Sequence, residues 1–128
     1  MSLYRVSSPR QSWCDEFLGI LVLDAADPCI PVNVDNATTA SFPVRCQEAV
    51  GARIDRLLNQ RDTTLVQPVV DNATALPGEG VGAVTGVCGF MARFHRQAAV
   101  APAIPAIFSS LLQIPVIHNL IRRITVSL

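Results

Sequence analysis

The chain contains no lysine: all ten basic residues are arginine, and ten acidic residues offset them to zero formal charge. No run of them forms a basic stripe, so nucleic acid is not an expected partner. Aromatic residues are scarce at 5% and charged ones make up 16%, against 50% hydrophobic. A chain of 128 residues with that balance folds as one domain around a modest core. Long apolar runs are also missing. The stretches near 17–23 and 98–117 are interrupted by Gly, Pro, Ser or Gln, short of the ~20 residues a membrane span needs, so no membrane partner is expected. Met1 to Gln11 carries two Arg and no apolar core before a small-residue cleavage site, which makes the cytoplasm the expected location.

Four cysteines, Cys14, Cys29, Cys46 and Cys88, are far apart in sequence. There is no C-x-x-C pair, and neither histidine stands at zinc-ligand spacing. Neither a metal site nor a disulfide framework is expected. Two Asn-Ala-Thr triplets, at Asn36 and Asn72, match a glycosylation acceptor but carry no weight without a secretory leader.

Alternation of apolar runs with helical segments predicts an α/β fold, a Rossmann-like parallel sheet with flanking helices. Residues 1–16 read as an N-terminal extension and 17–128 as a lobe left incomplete at its C-terminus. Phe17 to Leu23 is a continuous apolar run, as in a strand buried on both faces. Residues 25–43, with Pro28, Pro31 and Pro43, read as a long loop at that strand's carboxyl end. A second extended segment is expected over 42–50, closed by Gly51, and a short helical turn over 54–59. Asp62 is placed to cap a helix over 63–76 that Pro77-Gly78 stops. A strand over 81–87 and a helix over 90–99 follow, with Phe90, Phe94 and Gln97 on one face. A short strand over 101–108 and a helix from Leu111 to Ile121, capped by Ser109 and Ser110, complete the pattern. Residues 122–128 read as the start of a further strand.

Cys88 stands where the 81–87 strand meets a Gly-Phe-Met turn. In an open parallel sheet, ligands collect outside the carboxyl ends of the strands, and helix N-terminal amides there favour a thiolate. Against that stands the ordinary fate of a cysteine, a small buried hydrophobe.

Three blocks, Gly19 to Asp24, Asn36–Thr39 running into Phe42-Pro-Val-Arg45, and Val84 to Met91 followed by Ser109-Ser-Leu-Leu-Gln-Ile-Pro115, keep an order and spacing that resemble the aspartate/glutamate/hydantoin racemase superfamily. The resemblance covers the chain from Leu18 onward and about half of the family's length. It implies one of two Rossmann-like lobes, a cofactor-independent isomerase without metal, and a small carboxylate-bearing substrate. It implies proton transfer at the carbon next to the carboxylate, with Cys88 as the first of two thiols. Thr85, Gly89, Ser109 and Ser110 would then help bind the carboxylate. The pattern departs in three places: Gly86 and Val87 replace hydroxyl residues, Cys29, Val32 and Asn33 occupy the long loop, and the second catalytic cysteine has no counterpart. A single-cysteine lyase, a decarboxylase needing protonation on one face only, and a degenerate non-catalytic relative are the alternatives.

Other candidates carry competing accounts. Asp24 either lines the cleft or caps a turn. Asn36 and Thr39 either touch substrate or structure the loop. Arg45 and Arg93 either pair with a carboxylate or stand in solvent. His95 is a base in a Cys-His arrangement or, more commonly, a solvated or capped surface residue. His118 reads as structural and Gln113 as a hydrogen-bonder behind the site. A chain that ends within a strand leaves an unpaired edge, so a homo-oligomer is expected.

Overall fold

The protein's computed structural model describes residues 18–121; the 1–16 extension, Phe17 and the strand expected over 122–128 lie outside the described residues. Four parallel strands form one sheet in the order β2-β1-β3-β4, with β1 at Leu18–Leu23, β2 at Val44–Ala49, β3 at Ala83–Gly86 and β4 at Ala106–Ile107. Helices α1 (Ile54–Leu58) and α2 (Val66–Ala75) join β2 to β3, α3 (His95–Ala98) lies between β3 and β4, and α4 (Ile114–Ile121) follows β4. This is the expected α/β arrangement.

β1 is central because its residues can be buried on both faces: Gly19, Ile20 and Leu21 are all buried. The register sets Leu21 beside Gly86 and Leu23 beside Ala49. Alternation therefore puts Leu21, Ala49, Val84 and Ala106 on one face. That face packs on Val69, Ala73 and Leu76 and on Met91 and Phe94. Fully burying each of the larger side chains contributes roughly 1.5–3 kcal/mol.

The opposite face is built differently. The β1-to-β2 connection runs toward the other edge of the sheet, so its right-handed crossover belongs on this second face. Residues 24–43 hold no helix there, only bends and turns, as their prolines require. Cys46 and Glu48 stand exposed on this side, as does Ile107 on β4.

Several boundaries differ from expectation. Backbone pairing shortens the 81–87 strand to four residues, although the Val87 amide still donates to the Leu21 carbonyl at 3.1 Å. The 101–108 strand is two residues long, because Pro102 and Pro105 carry no N–H for a ladder. Asp62 does cap its helix, accepting from the Thr64 amide at 2.8 Å. That helix begins as a 3-10 turn at Thr63–Leu65 and ends through a second at Leu76–Glu79, closed by Gly80 at φ 94° rather than by Pro77-Gly78. The 90–99 helix is a 3-10 segment, Gly89–Phe94, running into α3. Its tighter period buries Met91 and Phe94, then Ala98 on α3, while Phe90 and Gln97 are exposed, so the face expected for Phe90, Phe94 and Gln97 is not the buried one. The helix expected from Leu111 likewise starts as a 3-10 turn, Ser110–Gln113, and no residue of α4 is buried.

Candidate active site

Cys88 occupies the N-cap position of the 3-10 segment after β3, with extended backbone (φ −112°, ψ 129°) and no hydrogen bond from its side chain to the cap. Its carbonyl accepts from the Met91 amide at 3.0 Å, which fixes the turn. The thiol is not in a disulfide, and the side chain is half-buried against the same cluster that holds Leu21, Leu57 and Met91. Gly86 has no room for the hydroxyl side chain that the resemblance leads one to expect there. A Cβ there would lie 2.7 Å from the Met91 sulfur and 2.9 Å from the Phe108 carbonyl oxygen, so no hydroxyl side chain fits.

Around this turn the structure gathers Thr85, Gly89, Ser109 and Ser110, yet two of the hydroxyls are engaged with backbone. Thr85 Oγ1 donates to the Ile107 carbonyl at 2.8 Å and ties β3 to β4. Ser109 is buried; its hydroxyl donates to the Gly89 carbonyl at 2.8 Å and accepts from the Leu111 amide at 3.1 Å. Ser110 is exposed. The remaining three expected substrate residues are tied elsewhere. Asp24 accepts from the Gly51 amide at 3.1 Å, closing the turn after β2 where Gly51 takes φ 81°. Asn36 donates to the Cys29 carbonyl at 2.6 Å and caps Thr38, while Thr39 donates to the Asn33 carbonyl and accepts from the Val32 amide. Asn36 and Thr39 hold the long loop in shape.

The other polar candidates are bonded within the protein, packed against it or exposed. Arg45 pairs with Glu79 at 2.7 Å. Arg93 donates to the carbonyls of Leu57 at 2.8 Å and Arg61 at 3.2 Å. His95 packs edge-on to Phe108, ring centroids 6.2 Å apart, and its Nδ1 is buried without a hydrogen-bond partner. Gln113 and His118 are exposed.

Two depressions open near the carboxyl ends of the strands, and their charge differs in sign. The first, about 240 Å³, lies beside the long loop and is lined by Asp27, Cys29, Asp35, Cys46 and Glu48, together with ends of β1 and Val87. Cys29 Sγ donates to Asp35 Oδ2 at 3.2 Å. That bond, with lesser desolvation and the nearby Asp35, Asp27 and Cys46, pushes the Cys29 thiol's pKa up. Desolvation, with Asp35, raises that of Cys46 as well, against a lowering by Arg45. Thiols held protonated among carboxylates are poor bases, and the carboxylates repel an anionic substrate. The second depression, about 460 Å³, is lined by Leu57, Leu58, Arg61, Phe90 and Arg93 and contains no acid. Leu57 belongs to the cluster on which Cys88 packs, and Phe90 is two residues beyond Cys88.

Sequence reasoning missed both groupings. Cys29 and Cys46 share a wall because β2 pairs with β1 and the loop folds back over the strand end, a long-range fact with no local signal. Arg61 had a local signal only after folding: it takes a left-handed φ of 50° at the end of the α1 turn. Among the described residues no group of three or more His, Cys, Asp or Glu side chains is placed to hold a metal ion, and no helix is long and apolar enough to cross a membrane. No family model matches the chain, and none of the curated proteins or solved structures does.

Proposed function

We propose that this chain is one lobe of a cofactor-independent racemase-type isomerase, in which Cys88 moves a proton at the carbon next to a substrate carboxylate. The observation that carries the reading is the position of Cys88. It lies at the carboxyl end of a central parallel strand, on an extended N-cap residue whose thiol makes no cap hydrogen bond. A weak carbon acid needs a base that is oriented and partly shielded from water, and a half-buried thiol on a fixed turn meets that demand. Reversal of configuration needs a second group on the other face of the carbon. A lone lobe is therefore expected to exchange the proton more readily than to invert the centre.

A second reading has its own support. Thr85, Ser109, Asp24, Asn36 and Thr39 are all bonded to the protein itself, which suits a non-catalytic relative that keeps the fold. Chiral chromatography with mass detection, on single enantiomers of aspartate, glutamate and hydantoins incubated with the protein in heavy water, separates the two. Appearance of the opposite enantiomer, lost in Cys88→Ala, supports the isomerase. No inversion and no exchange supports the non-catalytic relative, and exchange without inversion supports single-face proton transfer by Cys88, as a lone lobe or a lyase-type site gives it.

We also infer that the chain self-associates through the segment after β4. Leu111, Leu112, Ile114, Val116, Ile117 and Leu120 are all exposed, and among the described residues of the segment the only titratable side chain is His118. At 100° per residue Val116, Ile117 and Leu120 share one side of α4, an exposed apolar surface of the kind that marks a protein–protein contact. Such an uncharged face fits a second copy better than a charged partner.

A further inference from the structure

We propose that the pocket between α1 and the 3-10 segment Gly89–Phe94 is a carboxylate-binding site, with Arg61 and Arg93 holding the anion and Phe90 and Leu57 holding an apolar body beside it. The inference rests on the isomerase reading only for what the bound carboxylate is for; the binding itself stands apart from turnover.

Four observations meet in this pocket. Its wall carries two guanidinium groups and no carboxylate, in a chain whose overall charge is zero. Arg93 is held in place from behind, since it donates to the Leu57 and Arg61 carbonyls at 2.8 and 3.2 Å. Arginine has five N–H donors, so three remain to meet an oxygen pair, and a guanidinium already fixed loses little entropy on binding. Arg61 is exposed and takes φ 50°, a left-handed backbone that a non-glycine side chain rarely adopts. The Arg93 bond to its carbonyl braces that conformation. Finally, Phe90 is 48% exposed on the pocket rim, while the neighbouring Met91 and Phe94 are fully in the core. An open aromatic face beside two cations suits a carboxylate that carries an apolar group.

Charge separates this pocket from the depression on the loop side. There, Asp27, Asp35 and Glu48 line the wall, so a carboxylate is repelled from the Cys29 and Cys46 thiols. It is attracted to the arginine side, where the polypeptide continues from Cys88 through Gly89 to Phe90. The Thr85 and Ser109 hydroxyls expected to grip the substrate are bonded to backbone, and the arginine pair supplies positive charge for the carboxylate.

The test is binding, read by nitrogen-15 NMR of the arginine Nε–Hε groups in the full chain titrated with phenylacetate. Benzylamine, with the same ring and the opposite charge, is the control. Saturable shifts of Arg61 and Arg93 with phenylacetate alone, weakened at least tenfold in Arg61→Gln and restored in part by Arg61→Lys, are expected. The Arg61 side chain is exposed and only its backbone carbonyl is bonded, to Arg93, so its replacement leaves the fold intact, which the unchanged amide spectrum reports. Equal binding of benzylamine, unchanged affinity in Arg61→Gln, or no arginine shift at millimolar phenylacetate overturns the assignment. Because Cys88→Ala is expected to bind phenylacetate like the parent, loss of exchange in that variant with binding retained bears on Cys88 alone.

Discussion

The Ser109 hydroxyl donates to the Gly89 carbonyl at 2.8 Å, across 20 residues of sequence, and so clamps the segment after β4 to the turn that carries Cys88. The same oxygen accepts from the Leu111 amide, capping the following 3-10 turn. Ser109 is 2% exposed, so removing its hydroxyl takes that partner from the part-buried Gly89 carbonyl and Leu111 amide. Ser109→Ala is expected to lower unfolding stability by about 1 to 2 kcal/mol in a urea titration, while Ser110→Ala, at an exposed position, changes it by less than about 0.5 kcal/mol.

Gly86 has no room for a side chain, because Met91 and the Phe108 carbonyl close over it. The carbonyl is backbone and cannot move aside as the methionine end can. Gly86→Ala is expected to cost about 1 to 3 kcal/mol. Gly78 faces nothing within 4 Å, so Gly78→Ala leaves stability unchanged or slightly higher. Paired urea melts of the two variants check the contrast.

Asp62 gives the fold an acid-sensitive joint. The Thr64 hydroxyl, then Arg56, then the Thr64 amide hold its carboxyl pKa down to about 2 from 3.8. A depressed folded pKa means that the carboxylate stabilises the native state fully above the unfolded value. That contribution is lost as pH falls from about 4 through about 2. Thermal midpoints measured from pH 5 to pH 2 are expected to fall less steeply in Asp62→Asn than in the parent, and parallel curves contradict the assignment.

The exposed apolar segment after β4 predicts concentration-dependent association. Sedimentation at tens of micromolar is expected to show a dimer or larger species. Ile117→Asp combined with Leu120→Asp moves it toward monomer and removes the concentration dependence of the unfolding midpoint, since neither side chain touches the core.

How much was legible in the sequence depended on how local each cause was. β1 was readable because its apolar run is continuous, and Asp62 because a cap acts two residues away. The long loop was readable from its prolines. The 90–99 helix departs from the expected period: a 3-10 segment selects Met91 and Phe94, whereas a 3.6-residue reading selects Phe90 and Phe94. Cys88 was placed correctly at a strand end, but the roles of its neighbours were not visible. Thr85 and Ser109 carry hydroxyls that suit a substrate and equally suit a backbone carbonyl, and only tertiary distance separates those uses. Arg93 was open between carboxylate and solvent; it is bonded to two carbonyls and faces a pocket that depends on α1 packing beside the Cys88 turn.

Proton NMR in heavy water tests the central claim most directly, because loss of an α-proton signal requires only one working base. The α-protons of aspartate, glutamate and a hydantoin are followed with the parent protein, with Cys88→Ala, and with Cys29→Ser/Cys46→Ser. Signal loss in the parent and the double variant, at least tenfold slower in Cys88→Ala, is the predicted result. Equal rates in the parent and Cys88→Ala, or no exchange in any of the three, contradict the role given to Cys88.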